Sequence, residues 1–320
     1  MNFGKNILKT IYKTTLGVLV SFAVQSISAQ TKEIDYLTKI RDTIILSNSD
    51  PSKALSLLKN LKTDNPEFPQ SYIFSGLINY RLDNLSEVGA DLKRGIQLTK
   101  DKETKAQFLT SIEKEVTRFL SPEEFDLFQK GYALIEKHES KNALDFLLKA
   151  HKLNPKNVKL LYEIGYAYVD LNYIEKAIEY LEKARSINPV NKGILAELQY
   201  CYVDLKNIPM VLQILGDRLL IEDKRPNLFH ELGIAHLTNG DASQGIKTLT
   251  INVKEYPDYL PSYYALGQHF GEEKKDCKTA STYLTYFLKN LDKNKKQIKD
   301  PNFSVDDIKK HASEILSNCK

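Results

Sequence analysis

The 320-residue chain has no Trp, only two Met and only three Cys. Three cysteines are too few to staple a small disulfide framework. Charge of one sign is lacking as well: 45 basic residues face 41 acidic ones, and a formal +4 is too balanced for electrostatic capture of nucleic acid. With 14 Gly and 11 Pro the chain is neither collagenous nor a Pro/Gly-rich disordered segment, and 42% hydrophobic with 27% charged residues is the composition of a folded, soluble protein.

The usual signatures of chemistry are missing too. There is no glycine-rich phosphate loop, no His-Glu-x-x-His helix, no Cys-x-x-Cys pair and no Gly-x-Ser-x-Gly elbow. Six histidines (His138, His151, His230, His236, His269, His311) share no ligand spacing, and His230 and His236 fall on different sides of a helix. No catalytic residue, cofactor or metal is expected.

What is present begins with a leader. Residues 1–29 carry Lys5, Lys9 and Lys13 and no acid, then an apolar stretch from Leu16 to Val24, then small Ser28 and Ala29 before Gln30. A basic start, a short apolar core and a small-residue exit form the secretory signal pattern. The apolar core falls well short of the ~20 residues of a membrane span, so after cleavage no stable span is expected. No Cys precedes Cys201, which excludes a lipid anchor at the cleavage site. The expectation is an exported protein, periplasmic or secreted, with a net charge near +1 once the three lysines are gone.

The rest is periodic. Gly131, Gly165, Gly233 and Gly267 lie on a 34-residue grid with Gln199 at the missing point. Ala143 and Ala177, Ala150 and Ala184, and Pro155 and Pro189 keep the same spacing, as do Leu147, Leu181, Leu215 and Leu249. Small residues at fixed points let two helices approach closely, and the Pro closes the second. In 158–191 a first helix places Leu161, Ile164, Tyr168 and Leu171 on one stripe, and a second does so with Ile174, Ala177, Ile178, Leu181 and Ala184. Neither helix can bury its apolar face alone, so neighbouring units must stack.

This pattern resembles the tetratricopeptide repeat, most closely in LLYEIGYAYVDLNYIEKAIEYLEKARSINPVN, where Leu161, Gly165, Tyr168, Ala177, Leu181, Ala184 and Pro189 sit on the family's positions. The lysine-only start and the tail SISAQ resemble exported proteins of Bacteroidetes-type Gram-negative bacteria. The resemblance implies an all-α solenoid of tandem helix hairpins, a right-handed superhelix whose first helices line a concave face. The expected organisation is a signal at 1–29, two divergent units in 30–102, an inserted helix or joint at 103–123, five units in 124–294 (the last with one extra residue before Ala280), and a connector with a capping helix in 295–320. Ser121, Pro122 and Glu124 supply an N-cap, a first-turn Pro and an acid at N3, strong helix-start signals after the joint. Val305–Ser317, with Ile308, Ala312, Ile315 and Leu316 apolar, reads as the cap that a solenoid needs.

Antiparallel helices of about 13 residues, roughly 20 Å long, bring the end of this cap back to the start of the helix before it. Cys277 and Cys319 should therefore meet as a disulfide in an oxidising compartment, while Cys201 stays reduced and buried.

Family positions that line the groove give an aromatic strip of Phe128, Tyr132, Tyr162, Tyr166, Tyr200 and Tyr264 with His230, flanked by acids Glu163, Glu197 and Glu231 and by Asp170 and Asp204. The Lys and Asn that acid-binding members carry at these positions are absent. The expected activity is a non-enzymatic scaffold whose groove holds a protein or peptide segment with basic and apolar side chains, Tyr supplying apolar area with a polar tip. Glycan or cell-wall binding, sugars stacking on Tyr faces, is the alternative reading.

Overall fold

A computed structural model describes residues 31–222, 225–294, 296 and 304–319. The expected export signal and most of the lysine-rich connector lie outside the described residues. Within them there is no strand, and the helices follow one another in antiparallel hairpins: Thr31–Leu46 (α1) and Pro51–Asp64 (α2), Pro69–Arg81 (α3) and Leu85–Leu98 (α4), then Lys102–Val116 (α5). Hairpins Pro122–Ile135 (α6) with Ser140–Leu153 (α7) and Val158–Asp170 (α8) with Ile174–Ile187 (α9) come next, before Lys192–Asp204 (α10) and Ile208–Ile221 (α11). Pro226–Thr238 (α12) pairs with Ala242–Glu255 (α13), Leu260–Gln268 (α14) with Cys277–Asn294 (α15), and Val305–Asn318 (α16) ends the series. The tandem hairpins are those of an α-solenoid, as the tetratricopeptide resemblance implies.

The grid has a steric cause. A Cβ on Gly165 would sit 2.6 Å from Leu181 Cγ, so the side chain of the second helix fills the space that the first helix leaves open. Gly131 meets Leu147 in the same way, Gly233 meets Leu249 and Gly267 meets Leu284. The turn inside each hairpin repeats as well. His138, Asn172, Lys206 and Gly240 all have positive φ, 34 residues apart, and Lys275 follows one residue late. That delay is taken up just before it, where His269–Glu273 forms a π-helical turn. There the Lys274 N–H donates to the His269 carbonyl, five residues back. A π turn accommodates one added residue within a helix, which locates the extra residue of this unit.

The chain divides into two compact units between Cys201 and Tyr202. In the first, the insertion α5 docks among its neighbours through Phe108, Ile112 and Val116, all buried. Its Glu113 Oε2 accepts from Asn188 Nδ2 at 2.9 Å and Asn191 Nδ2 at 2.8 Å, in the turn after α9. α4 crosses α9 so closely that a Cβ on Gly89 would lie 2.3 Å from the Ser186 carbonyl oxygen. The turn after α7 is held alike: Asn154 and Asn157 both donate to Glu124 Oε1, at 3.0 and 2.9 Å. Ser121 caps α6 through the Glu124 N–H.

In the second unit, Leu249, Leu260, Leu266, Leu284, Phe287 and Leu291 form a core that Ile308, Ala312 and Ile315 of α16 close. Ser304 and Asp307 make a reciprocal capping box at its start. At its end Cys319 is joined to Cys277, with Cα atoms 5.1 Å apart. Cys201 is buried and outside the disulfide.

Candidate functional site

The first helices of the first unit present large apolar side chains to solvent where a buried face is complete without them. Phe125 is 43% exposed, Tyr132 36% and Tyr200 55%. Phe125 and Tyr132 extend an aromatic run, with Phe119 5.2 Å from Phe125 and 4.8 Å from Phe128, and Phe128 5.6 Å from Tyr132 between ring centroids. Phe128 itself is buried and belongs to the core between α6, α7 and α8. It was expected on the open face; its ring instead supports the exposed ones.

Lys159 bridges two of these hairpins. Its ammonium is 2.7 Å from Glu163 Oε1 and lies over the rings of Tyr132 and Tyr162, 5.4 and 5.7 Å from their centroids. Glu163, expected as an open acid of the groove, is buried and its charge is met by Lys159. An ammonium held between a carboxylate and aromatic faces combines ion pairing with cation–π attraction. Tyr166 stands 6.5 Å from Tyr162 and is half-buried. Tyr162 packs onto the next helix, where a Cβ on Gly193 would lie 3.2 Å from its ring. Burial, and then the carboxylates of Glu197 and Glu163, push the Tyr162 hydroxyl up to about 12. Glu197 is half-buried, and burial raises its carboxyl above the ordinary range. Asp170 is exposed at the end of α8 and accepts from the Ser140 hydroxyl at 2.5 Å.

The second unit holds the remaining candidates in different settings. Asp204 is exposed. Glu231 lies 3.8 Å from Arg218 Nη1. The His230 Nδ1 is 3.2 Å from Ser262 Oγ, which accepts from Asn252 Nδ2 at 2.7 Å, and burial pushes the imidazole down to about 4. Neutral His230 is thus a fixed part of a buried polar cluster. Tyr264 is committed to the cap: its hydroxyl is 2.6 Å from His311 Nδ1, and the opposite His311 nitrogen is 2.9 Å from Glu272 Oε1.

The second position of each 34-residue unit is where sequence reasoning stopped short. Phe125, Lys159 and Gly193 occupy it in consecutive units; Lys159 pairs the acid four residues on, Glu163, and Gly193 offers Glu197 no such cation. The signal was a Lys at i with a Glu at i+4, a spacing that puts both on one helix face. Among the described residues, no group of three or more His, Cys, Asp or Glu is arranged to hold a metal ion. No described helix is long and apolar enough to cross a membrane.

The family model for Regulator of microtubule dynamics protein 1-3 matches residues 77–200. No curated protein matches the chain. Among solved structures the chain is similar to a MamA protein at 19% identity, over 55% of this chain and 96% of that one, with a TM-score of 0.48. It is also similar to MamA residues 41 to the end from Desulfovibrio magneticus RS-1, at 17% identity over 54% of this chain and 98% of that one, again with a TM-score of 0.48.

Proposed function

We propose that this protein is a non-catalytic scaffold that binds another protein along the first-helix face of α6, α8 and α10. The observation that carries this reading is the exposure of Phe125, Tyr132 and Tyr200 on that face. Tyr is favoured at interfaces because a large ring is desolvated while the hydroxyl keeps a polar partner. The bound segment is one with apolar side chains for the rings and basic ones for the acids beside them. Selection of displayed random 12-residue peptides on the immobilised full chain tests it. The unmodified protein enriches a family of sequences, and a Tyr132→Ala, Tyr200→Ala variant that keeps its helical circular dichroism loses at least ten-fold of that binding. Equal recovery on both removes the face from consideration.

The working compartment in this reading is outside the cytoplasm. The signal-like residues 1–29 and the juxtaposition of Cys277 with Cys319 support it. Unreduced protein purified from its native envelope should titrate one free thiol, that of Cys201, after denaturation. Three free thiols would contradict both the bond and the compartment.

A further inference from the structure

We infer that Glu197, with Tyr162 and Tyr166 beside it, is a pocket for one lysine or arginine side chain of the partner protein. The inference rests on the reading of this face as protein-binding and names what it reads.

The repeat supplies its own template. One unit earlier, the intrachain Lys159 fills the equivalent place: it reaches Glu163 four residues on and lies over Tyr132 of the preceding helix hairpin and over Tyr162. Moving 34 residues along the chain converts Glu163 to Glu197 and Tyr132 to Tyr166, and Lys159 to Gly193. The acid and one of the two rings are kept, the ring of Tyr162 gives way to Ala196, and the cation is removed. Glycine at 193 lets the Tyr162 ring come against the backbone of α10, where a Cβ would lie 3.2 Å from it. Gly193 and Glu197 are one helical turn apart on the same face of α10, so the ring that rests on Gly193 walls the approach to Glu197.

The three acids of this series therefore differ in one respect. Glu163 is met by Lys159 of its own repeat and Glu231 by Arg218 of the repeat before it. Glu197 has no ion pair and no hydrogen bond among the described residues, and burial alone acts on its carboxyl. A half-buried carboxylate loses hydration without compensation until a cation arrives. The rings beside it suit a cation with an alkyl or planar stem, which Lys and Arg have and a free metal ion does not. Tyr200, 55% exposed one turn further along α10, offers an apolar wall for the neighbouring residue of the same segment.

The test uses the full chain and the peptides selected on it. Peptides enriched on the unmodified protein carry a Lys or Arg at one fixed place, and selection on the Glu197→Gln variant loses that preference. For one such peptide, Glu197→Gln weakens binding at least five-fold, and replacing the basic residue of the peptide with Gln weakens binding to the unmodified protein by a similar factor. The two changes together cost little more than either alone, because both remove one contact. Independent, multiplying effects, or an enriched family without a basic residue, overturn the pocket while the scaffold reading stands on the Tyr132→Ala, Tyr200→Ala result. Failure of the unmodified protein to enrich any peptide overturns both.

Discussion

Replacing Glu124 with Ala is expected to cost about 3–5 kcal/mol of stability, the scale of breaking a buried charged hydrogen-bond network. The side chain is fully buried at the start of α6. One carboxyl oxygen accepts from the Leu120 N–H at 2.6 Å, and the other takes Asn154 and Asn157 Nδ2 at 3.0 and 2.9 Å. Alanine leaves three donors without their acceptor, each costing about 1–3 kcal/mol when buried and unsatisfied. Water entering the space left by the side chain moderates the sum. Glu124→Gln keeps one carbonyl oxygen for the asparagines but turns an NH2 toward the Leu120 N–H, so its loss is smaller, about 1–2 kcal/mol. Urea unfolding followed by far-ultraviolet circular dichroism separates the two. A loss below about 1 kcal/mol for Glu124→Ala would mean that the network is incidental to stability.

The second large effect belongs to the other unit. Phe287→Ala removes the largest fully buried side chain of the core beneath the cap, and truncating a buried Phe costs about 3–5 kcal/mol through lost burial and the cavity left behind. Phe287 is fully buried and its ring is 5.3 Å from that of Tyr264. Tyr264 in turn holds His311 of α16, so the cavity opens directly under the contacts that seat the cap. Amide exchange in 305–318 should quicken more than exchange in α12 and α13, while Cys277–Cys319 keeps the end of α16 tethered. Phe287→Leu refills most of the volume and should cost about 1–2 kcal/mol. Unchanged exchange in 305–318 would show that α16 is held without this core.

Much of this architecture is legible in the sequence because it is periodic. Gly165 and Leu181 recur at fixed spacing since one makes room for the other, and 34-residue repetition turns a single steric contact into a pattern. The start of α6 is legible from Ser121 and Pro122, and the cap from the apolar stripe of Ile308, Ala312 and Ile315. The fate of Glu124 is not. At N3 it reads as a capping acid, yet it accepts from Leu120 and from two asparagines about 30 residues away. Nothing local to Glu124 distinguishes a carboxylate that faces solvent from one that organises a distant turn. The Asn pairs flanking Pro155 and Pro189 were the available sign, since both turns present two amides to one acid. Contacts made once, such as Gly89 against Ser186, leave no period to detect.

The same limit shaped the view of the surface. Family positions select Phe128, Tyr132, Tyr162 and Glu163 together, but position alone does not say whether an acid is spoken for. That depends on Lys159 and Gly193, single residues that vary between units while the frame around them stays constant. Specificity written in such variations is invisible to any argument built on what repeats.

The π turn at His269–Glu273 bears on how such a chain changes over time. A one-residue insertion in a conventional core shifts every later contact, and the fold must be renegotiated. Here the added residue is absorbed inside a single turn, and Gly267 still meets Leu284 and α15 still receives its cap. This hairpin is thus insulated from the residue added within it. A lineage can accumulate small insertions and exchange side chains on one exposed edge, trying new partners without risking the frame.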